Sequence, residues 1–343
     1  MNYIYKRAEH SALFISFMKA IFFLLLHFLW LCVSCGVQAP LEPAKKDSVI
    51  TPLVPAIIPT YVFDLSLLDR TVLFAELTSS TKMVKQDYDE ISGMAESISY
   101  KGIIYLHEDK PGKNFIIISN KNGEDFGKIY LDGASPADWE DMTYGPGPDP
   151  ALTYIYVADI GDNNAKNANA TVYRFPEPSI NLFSASTEIH VKEFDKIKFT
   201  YSRGATNAET ILLDPLTKDL YILTKENSKS FLYQIPYPQS STTTSALKPL
   251  AQLGLDFLTS GAISADGMDI LLRNKSQIWY WKRDKTESVL QALAKKPQDA
   301  PYAGNEHQGE AISFSYNTPG FMTISEIRDY PGDIAKISFY KRK

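Results

Sequence analysis

The chain has 343 residues, with 35 Lys and Arg against 40 Asp and Glu and a formal net charge of −5 at pH 7. That acidic balance argues against nucleic acid as a partner, which calls for a basic footprint. Both cysteines, Cys32 and Cys35, lie near the N-terminus, so the rest of the chain has no disulfide framework, thiolate metal site or thiol nucleophile.

Residues 1–35 read as an export signal. Lys6, Arg7 and Lys19 give a basic start, and Ala20 to Val33 runs almost without polarity, broken by His27. A basic flank before an apolar core of this length is a secretory pattern, shorter than the ~20 apolar residues of a membrane span. The segment closes on Leu31-Cys-Val-Ser-Cys35, which resembles a lipobox with Cys32 where Leu is usual, and Cys35 is the expected lipidation site. An uncleaved anchor helix is the alternative. Removal of 1–34 leaves 32 basic and 39 acidic residues and a net charge of −7, so lipid rather than charge is expected to hold the chain at the bacterial cell envelope. Gly36 after the cysteine, in place of Asp, favours outer-membrane sorting.

From 36 to 61 the chain is rich in Pro, Ala and Val, with Pro40, Pro43, Pro52, Pro55 and Pro59. Proline at this density favours an extended tether. The apolar run from Val49 leaves an edge strand as the alternative.

Residues 62–343 are expected to form one all-β domain. Short runs rich in β-branched and aromatic residues recur between turn clusters: Gly102-Ile-Ile-Tyr-Leu, Phe115-Ile-Ile-Ile-Ser, Tyr154-Ile-Tyr-Val-Ala, Leu220-Tyr-Ile-Leu-Thr and Ala335-Lys-Ile-Ser-Phe-Tyr. One helical stretch is expected, at 287–295. A repeat aligns Ile91-Ser-Gly-Met-Ala, Trp139-Glu-Asp-Met-Thr, Ala208-Glu-Thr-Ile-Leu, Ser260-Gly-Ala-Ile-Ser and Gly309-Glu-Ala-Ile-Ser, at spacings of 48, 69, 52 and 49. Most are followed by a second strand ending in polar residues: His107-Glu-Asp, Asp159-Ile-Gly-Asp, Lys225-Glu-Asn, Arg273-Asn and Ser325-Glu. Strand units at a period near 50 predict a β-propeller of five or six four-stranded blades, because a lone sheet cannot bury both faces. Thr71-Val-Leu-Phe-Ala-Glu-Leu either completes a sixth blade or closes the ring on the last, and the 69-residue gap hides an insertion or extra strands. A pair of β-sandwiches is the alternative.

The repeat puts Glu140, Glu209 and Glu310 at equivalent points, so they are expected to converge where inner strands meet the channel. Converging carboxylates repel unless a proton or cation sits among them. Calcium, which takes six to eight oxygen ligands, is the candidate ion, with Asp159 and Asp162 of the Asp159–Asn164 turn as further ligands. The competing readings are a self-bonded turn and structural ties between blades. His307 and Glu326 are the acid–base candidates. A merely solvated His307 is the alternative. Arg273 is the anion-binding candidate, unless it pairs with a glutamate. No organic cofactor is expected, and the chain is expected to be a monomer.

The run from Tyr156 to Asn164, followed by Val172-Tyr-Arg-Phe-Pro-Glu-Pro, resembles the family named for the esterase-like activity of phytase. So do Ile91-Ser-Gly-Met-Ala-Glu-Ser, Trp139-Glu-Asp-Met, Ala208-Glu-Thr, Thr259 to Gly267 with Arg273, and His307-Gln-Gly-Glu-Ala-Ile with Ile324-Ser-Glu. The likeness spans about residues 88–327. It implies an exported β-propeller and ester or phosphoester hydrolysis. Ser92 and Gly261 break the acidic pattern in the first and fourth repeats. A metal-dependent hydrolase of phosphate or carboxylic esters, a propeller binding a ligand or envelope protein, and an envelope component with architectural calcium are the functions to separate.

Overall fold

The computed structural model describes residues 57–181 and 186–343. The signal with Cys35, and all of the tether before residue 57, lie outside the described residues. The described chain is a five-bladed β-propeller, as the repeat predicts, and each aligned segment opens the inner strand of a blade. Blade 1 comprises Ile91–Glu96, Ile103–Glu108, Phe115–Asn120 and Asp125–Leu131. Blade 2 comprises Trp139–Pro146, Thr153–Asp159, Asn169–Pro176 and Asp195–Tyr201. Blade 3 comprises Ala208–Leu213, Leu220–Thr224, Ser230–Ile235 and Pro249–Leu253. Blade 4 comprises Ser260–Ile263, Asp269–Arg273, Ile278–Lys282 and the short Gln298–Asp299. Blade 5 comprises Gln308–Ser315, Gly320–Glu326 and Lys336–Lys341.

The fourth strand of blade 5 comes from the other end of the domain. Ser79–Lys82 pairs antiparallel with Lys336–Lys341, in register from Ser79 opposite Phe339 to Lys82 opposite Lys336. The N-terminal residues therefore close the ring, and no sixth blade forms. The closing strand lies just beyond the Thr71–Leu77 run, of which Phe74 makes only an isolated bridge to Arg342.

Each apolar core lies between two blades. Leu220 and Ile222 pack with Ile211, Tyr156 and Phe199 of the blade 2–3 interface. Their alternate neighbours Tyr221 and Leu223 pack with Leu272 and Trp279 of the blade 3–4 interface. The period-2 alternation of a strand sends successive side chains to opposite neighbours. Both faces are covered, so the strand reads as a continuous apolar run rather than an alternating one.

Three outer edges carry a fifth, parallel strand. Thr187–Val191 lies along Asp125–Leu131 of blade 1, and Ser245–Leu247 along Asp195–Tyr201 of blade 2. Thr60–Tyr61, from the end of the expected tether, lies along Pro249–Leu253 of blade 3. The first of these additions accounts for the 69-residue spacing. An unpaired edge is a template for wrong pairing, and a short covering strand removes it. The one α-helix among the described residues, Val289–Leu293, is shorter than the sequence predicts; a reciprocal Ser288–Gln291 capping box starts it.

Side chains tie the inner strands together at the axis. The buried Asp141 carboxylate of blade 2 accepts the N–H of Met142 at 2.9 Å, the N–H of Ile211 of blade 3 at 3.0 Å, and the hydroxyl of Ser260 of blade 4 at 3.0 Å. Ser260 Oγ accepts in turn the N–H of Ile312 of blade 5 at 3.2 Å. The Ser92 hydroxyl of blade 1 donates to the carbonyl of Glu140 in blade 2. Truncation at Asp141 would leave three buried donors without an acceptor. Asp141→Ala should therefore cost about 3 kcal/mol or more in urea unfolding; a loss below about 1 kcal/mol would mean that the tie is dispensable.

Candidate functional site

At one mouth of the channel, a cavity of about 170 Å³ is lined by Ser92, Asp109, Glu140, Asn163, Glu209, Lys225, Lys275, Gln308, Glu310, Glu326 and Arg328. Two positions of each repeat supply most of this lining. The first is the second residue of the aligned repeat segment, at the start of the inner strand: Ser92, Glu140, Glu209 and Glu310. The second is the end of the next strand or the loop after it: Asp109, Asn163, Lys225, Lys275, Glu326 and Arg328.

The backbone explains the first set. In blades 1, 2, 3 and 5 the ladder between inner and second strand slips at that residue, between Ile91 and Gly93, Trp139 and Asp141, Ala208 and Thr210, and Gly309 and Ala311. Ser92, Glu140, Glu209 and Glu310 are thus the extra residues of four β-bulges, which re-aim a side chain at the cost of a ladder pair. Blade 4 keeps its register through Ser260, Gly261 and Ala262. A Cβ at Gly261 would strike Leu272 and Leu212, so the fourth repeat holds glycine for packing. Blade 4 contributes Lys275 to the cavity instead.

Five carboxylates face three cationic groups in this lining. Lys225 pairs with Glu209, Lys275 bonds Gln308 and lies 3.9 Å from Glu310, and Arg328 lies 3.2 Å from Glu326 and 2.8 Å from Glu90. Burial raises the Glu310 carboxyl to about 8, relieved in part by Lys225 and reinforced by the charge of Glu209. Burial, followed by a hydrogen bond with Asp138, raises Asp109 to about 9. Burial also raises Glu140, reinforced by the charge of Glu209, and it raises Glu209 itself against Lys225. Glu326 is raised by burial. Glu140 Oε1 is buried without a hydrogen-bond partner, while Glu326 Oε1 has the Arg328 guanidinium 3.2 Å away.

The other sequence candidates take different places. Asp159 accepts the N–H of Ala137 at 3.0 Å and of Asp138 at 2.7 Å, so it holds the turn that carries Asp138. Asp162 accepts the N–H of Asn167 at 2.7 Å, shaping the loop that brings Asn163 to the cavity. Arg273 is fully buried, pairs with Glu306 at 2.8 Å and donates to the carbonyl of Ala311 at 3.0 Å; it does not line the cavity. Its guanidinium lies where a Cβ at Gly309 would be, which accounts for that glycine. His307 occupies a separate small recess, stacked on Tyr330 with centroids 3.7 Å apart and bonded to Asp333 at 2.6 Å. Ser325 shares that recess, but its hydroxyl is engaged with the backbone of Gln308 and Glu326, so no nucleophile is free there.

Asp138, just before an inner strand, went unnoticed in the sequence, and Asp109 entered only as the last residue of the polar strand ending His107-Glu-Asp, not as a ligand. No protein-family model matches this chain, and no curated protein sequence is similar to it.

The raised carboxyls set a pH dependence. A group held at about 8 in the folded chain, against an ordinary 4.5, keeps a proton that the unfolded chain has lost between those values. Stability therefore falls as pH rises across that window. In EDTA, Glu310→Gln should flatten the fall and exceed the parent chain above pH 8, read from urea midpoints at pH 5, 7 and 9. Parallel pH curves for parent and variant would contradict the raised value.

Proposed function

We propose that the chain is a hydrolase of anionic esters, lipid-anchored through Cys35 at the bacterial envelope, with the channel-mouth cavity as its working site. One observation carries the catalytic part. Buried carboxylates of elevated proton affinity share an accessible cavity with cations, which is how acid–base sites are built. Glu310 retains a proton at neutral pH and serves as the acid toward the leaving oxygen. Glu326, raised by burial and set 3.2 Å from the Arg328 guanidinium, serves as the base that takes a proton from water. Lys275 and the half-exposed Arg328 attract the anionic group of the substrate. The motif residues behind the resemblance to the phytase esterase-like family, namely Ser92, Glu140, Glu209, Glu310 and Glu326, meet in this cavity, which supports the same chemistry.

A second reading, a ligand-binding propeller without turnover, draws support from the cations: Lys225, Lys275 and Arg328 each already engage a carboxylate or an amide. Turnover of p-nitrophenyl phosphate, bis(p-nitrophenyl) phosphate and p-nitrophenyl acetate by the full chain separates the two. Hydrolysis should fall above pH 8, as Glu310 loses its proton. Glu326→Gln should lower it about 100-fold or more with the fold intact. Unchanged turnover in both Glu326→Gln and Glu310→Gln would remove these residues from the chemistry, and no turnover of any ester would leave the binding reading.

A further inference from the structure

We propose that Asp109, Asp138 and Glu140 form a calcium-type divalent-cation site at the edge of the channel mouth, between blades 1 and 2. One carboxylate oxygen from each of the three lies within 4.8 Å of the other two. A single ion with oxygen ligands at about 2.3–2.6 Å spans such a group. This set differs from the one expected from the repeat, which spread the ligands around the axis through Glu209 and Glu310. Asp109 comes from the loop after the second strand of blade 1, Glu140 from the start of the blade 2 inner strand, and Asp138 from the residue just before that strand.

Acidic clusters are common without an ion, and an independent feature marks this one. Glu140 is 3% exposed, and its Oε1 has no hydrogen-bond partner. An unmet buried carboxylate oxygen is costly and marks a missing donor or cation. That oxygen and Asp138 Oδ2 both close on one point, since a Cβ built at Gly161 would collide with the two together. The glycine thus leaves a hollow into which two carboxylates point.

The scaffold is rigid where a ligand set needs it. Asp159 fixes the N–H groups of residues 137 and 138, while the carbonyl of Asp138 accepts the N–H of Ile160 and of Gly161, each at 3.2 Å. Glu140 is held by its bulge and by the Ser92 hydroxyl on its carbonyl. Asp109 and Glu140 also line the cavity, so water completes the coordination from that side. Three carboxylates with water make a hard oxygen site, suited to calcium at the roughly 0.1–1 mM affinity of extracellular modules.

The site does not depend on the hydrolase reading, because binding is measured without substrate. The full chain is stripped with EDTA and titrated with calcium, magnesium and terbium. Terbium luminescence is excited through Trp139, which adjoins Glu140 in the chain. Calcium near 100 times its dissociation constant should raise the melting temperature by about 4 °C. It should also displace terbium. Asp138→Asn and Asp109→Asn, each checked for native circular dichroism, should weaken binding at least about tenfold. Asp333→Asn, in the separate recess of His307, should bind as the parent does. Absence of both the thermal shift and the terbium signal at 10-millimolar-order calcium would overturn the proposal. So would calcium binding that survives both Asp variants unchanged.

Discussion

Closure of the ring by Ser79–Lys82 is the constraint on which everything else rests. It pairs residues near the start of the domain with residues near the end, so that Ser79 faces Phe339. Bringing distant segments together costs chain entropy, but that cost grows only slowly with loop length. The return is large. An open arc would expose the apolar faces that now meet between blades 5 and 1, where Met94, Ile104 and Ile117 pack against Met322, Ile324 and Phe339. The same N-terminal stretch covers other edges on its way. Thr60–Tyr61 lies on blade 3, and Arg70 bridges Asp299 of blade 4. The last part of the expected tether is therefore an integral edge of the wheel.

A closed ring also makes an enclosed mouth, and there the fold gives up local order. Four of five inner strands bulge at the equivalent residue. Each bulge forfeits regular pairing and turns a polar side chain toward the axis. The resulting carboxylates are buried faster than cations can neutralise them, so Glu310, Glu140 and Asp109 bind protons more tightly than ordinary acids. This unfavourable electrostatic arrangement persists because Asp141, Ser260 and the interblade cores over-determine the ring. Departures from locally stable choices concentrate at working sites. The mouth of this propeller, with four bulges and an unpartnered Glu140 oxygen, is where such departures gather in this chain.

The architecture was legible in the sequence to an unusual depth. The five aligned segments open the five inner strands, and the polar endings such as Lys225-Glu-Asn and Arg273-Asn end the second strands or follow them. Convergence of Glu140, Glu209 and Glu310 followed from their shared repeat position. Other features were not legible. Asp159 and Asp162 have the chemistry of ligands, yet their oxygens are consumed by backbone N–H groups of the turns around them. Arg273 has the chemistry of an anion binder, yet it is sealed against Glu306. His307 sits two residues before the inner-strand repeat of blade 5, and its ring lies in another recess on Tyr330.

The chain order of apolar runs and turn residues by itself determined the repeat, the stacking of blades and where the inner strands begin. These rest on local periodicity and on the need to bury both faces of every sheet. Tertiary structure alone decided that five blades suffice, because closure depends on how the first strand meets the last. It also decided which acidic groups gather, since a bulge or a turn shifts a side chain by more than the spacing that defines a site. Asp138, two residues ahead of Glu140 and unremarkable in the sequence, faces Asp109 from another blade only once the ring is shut.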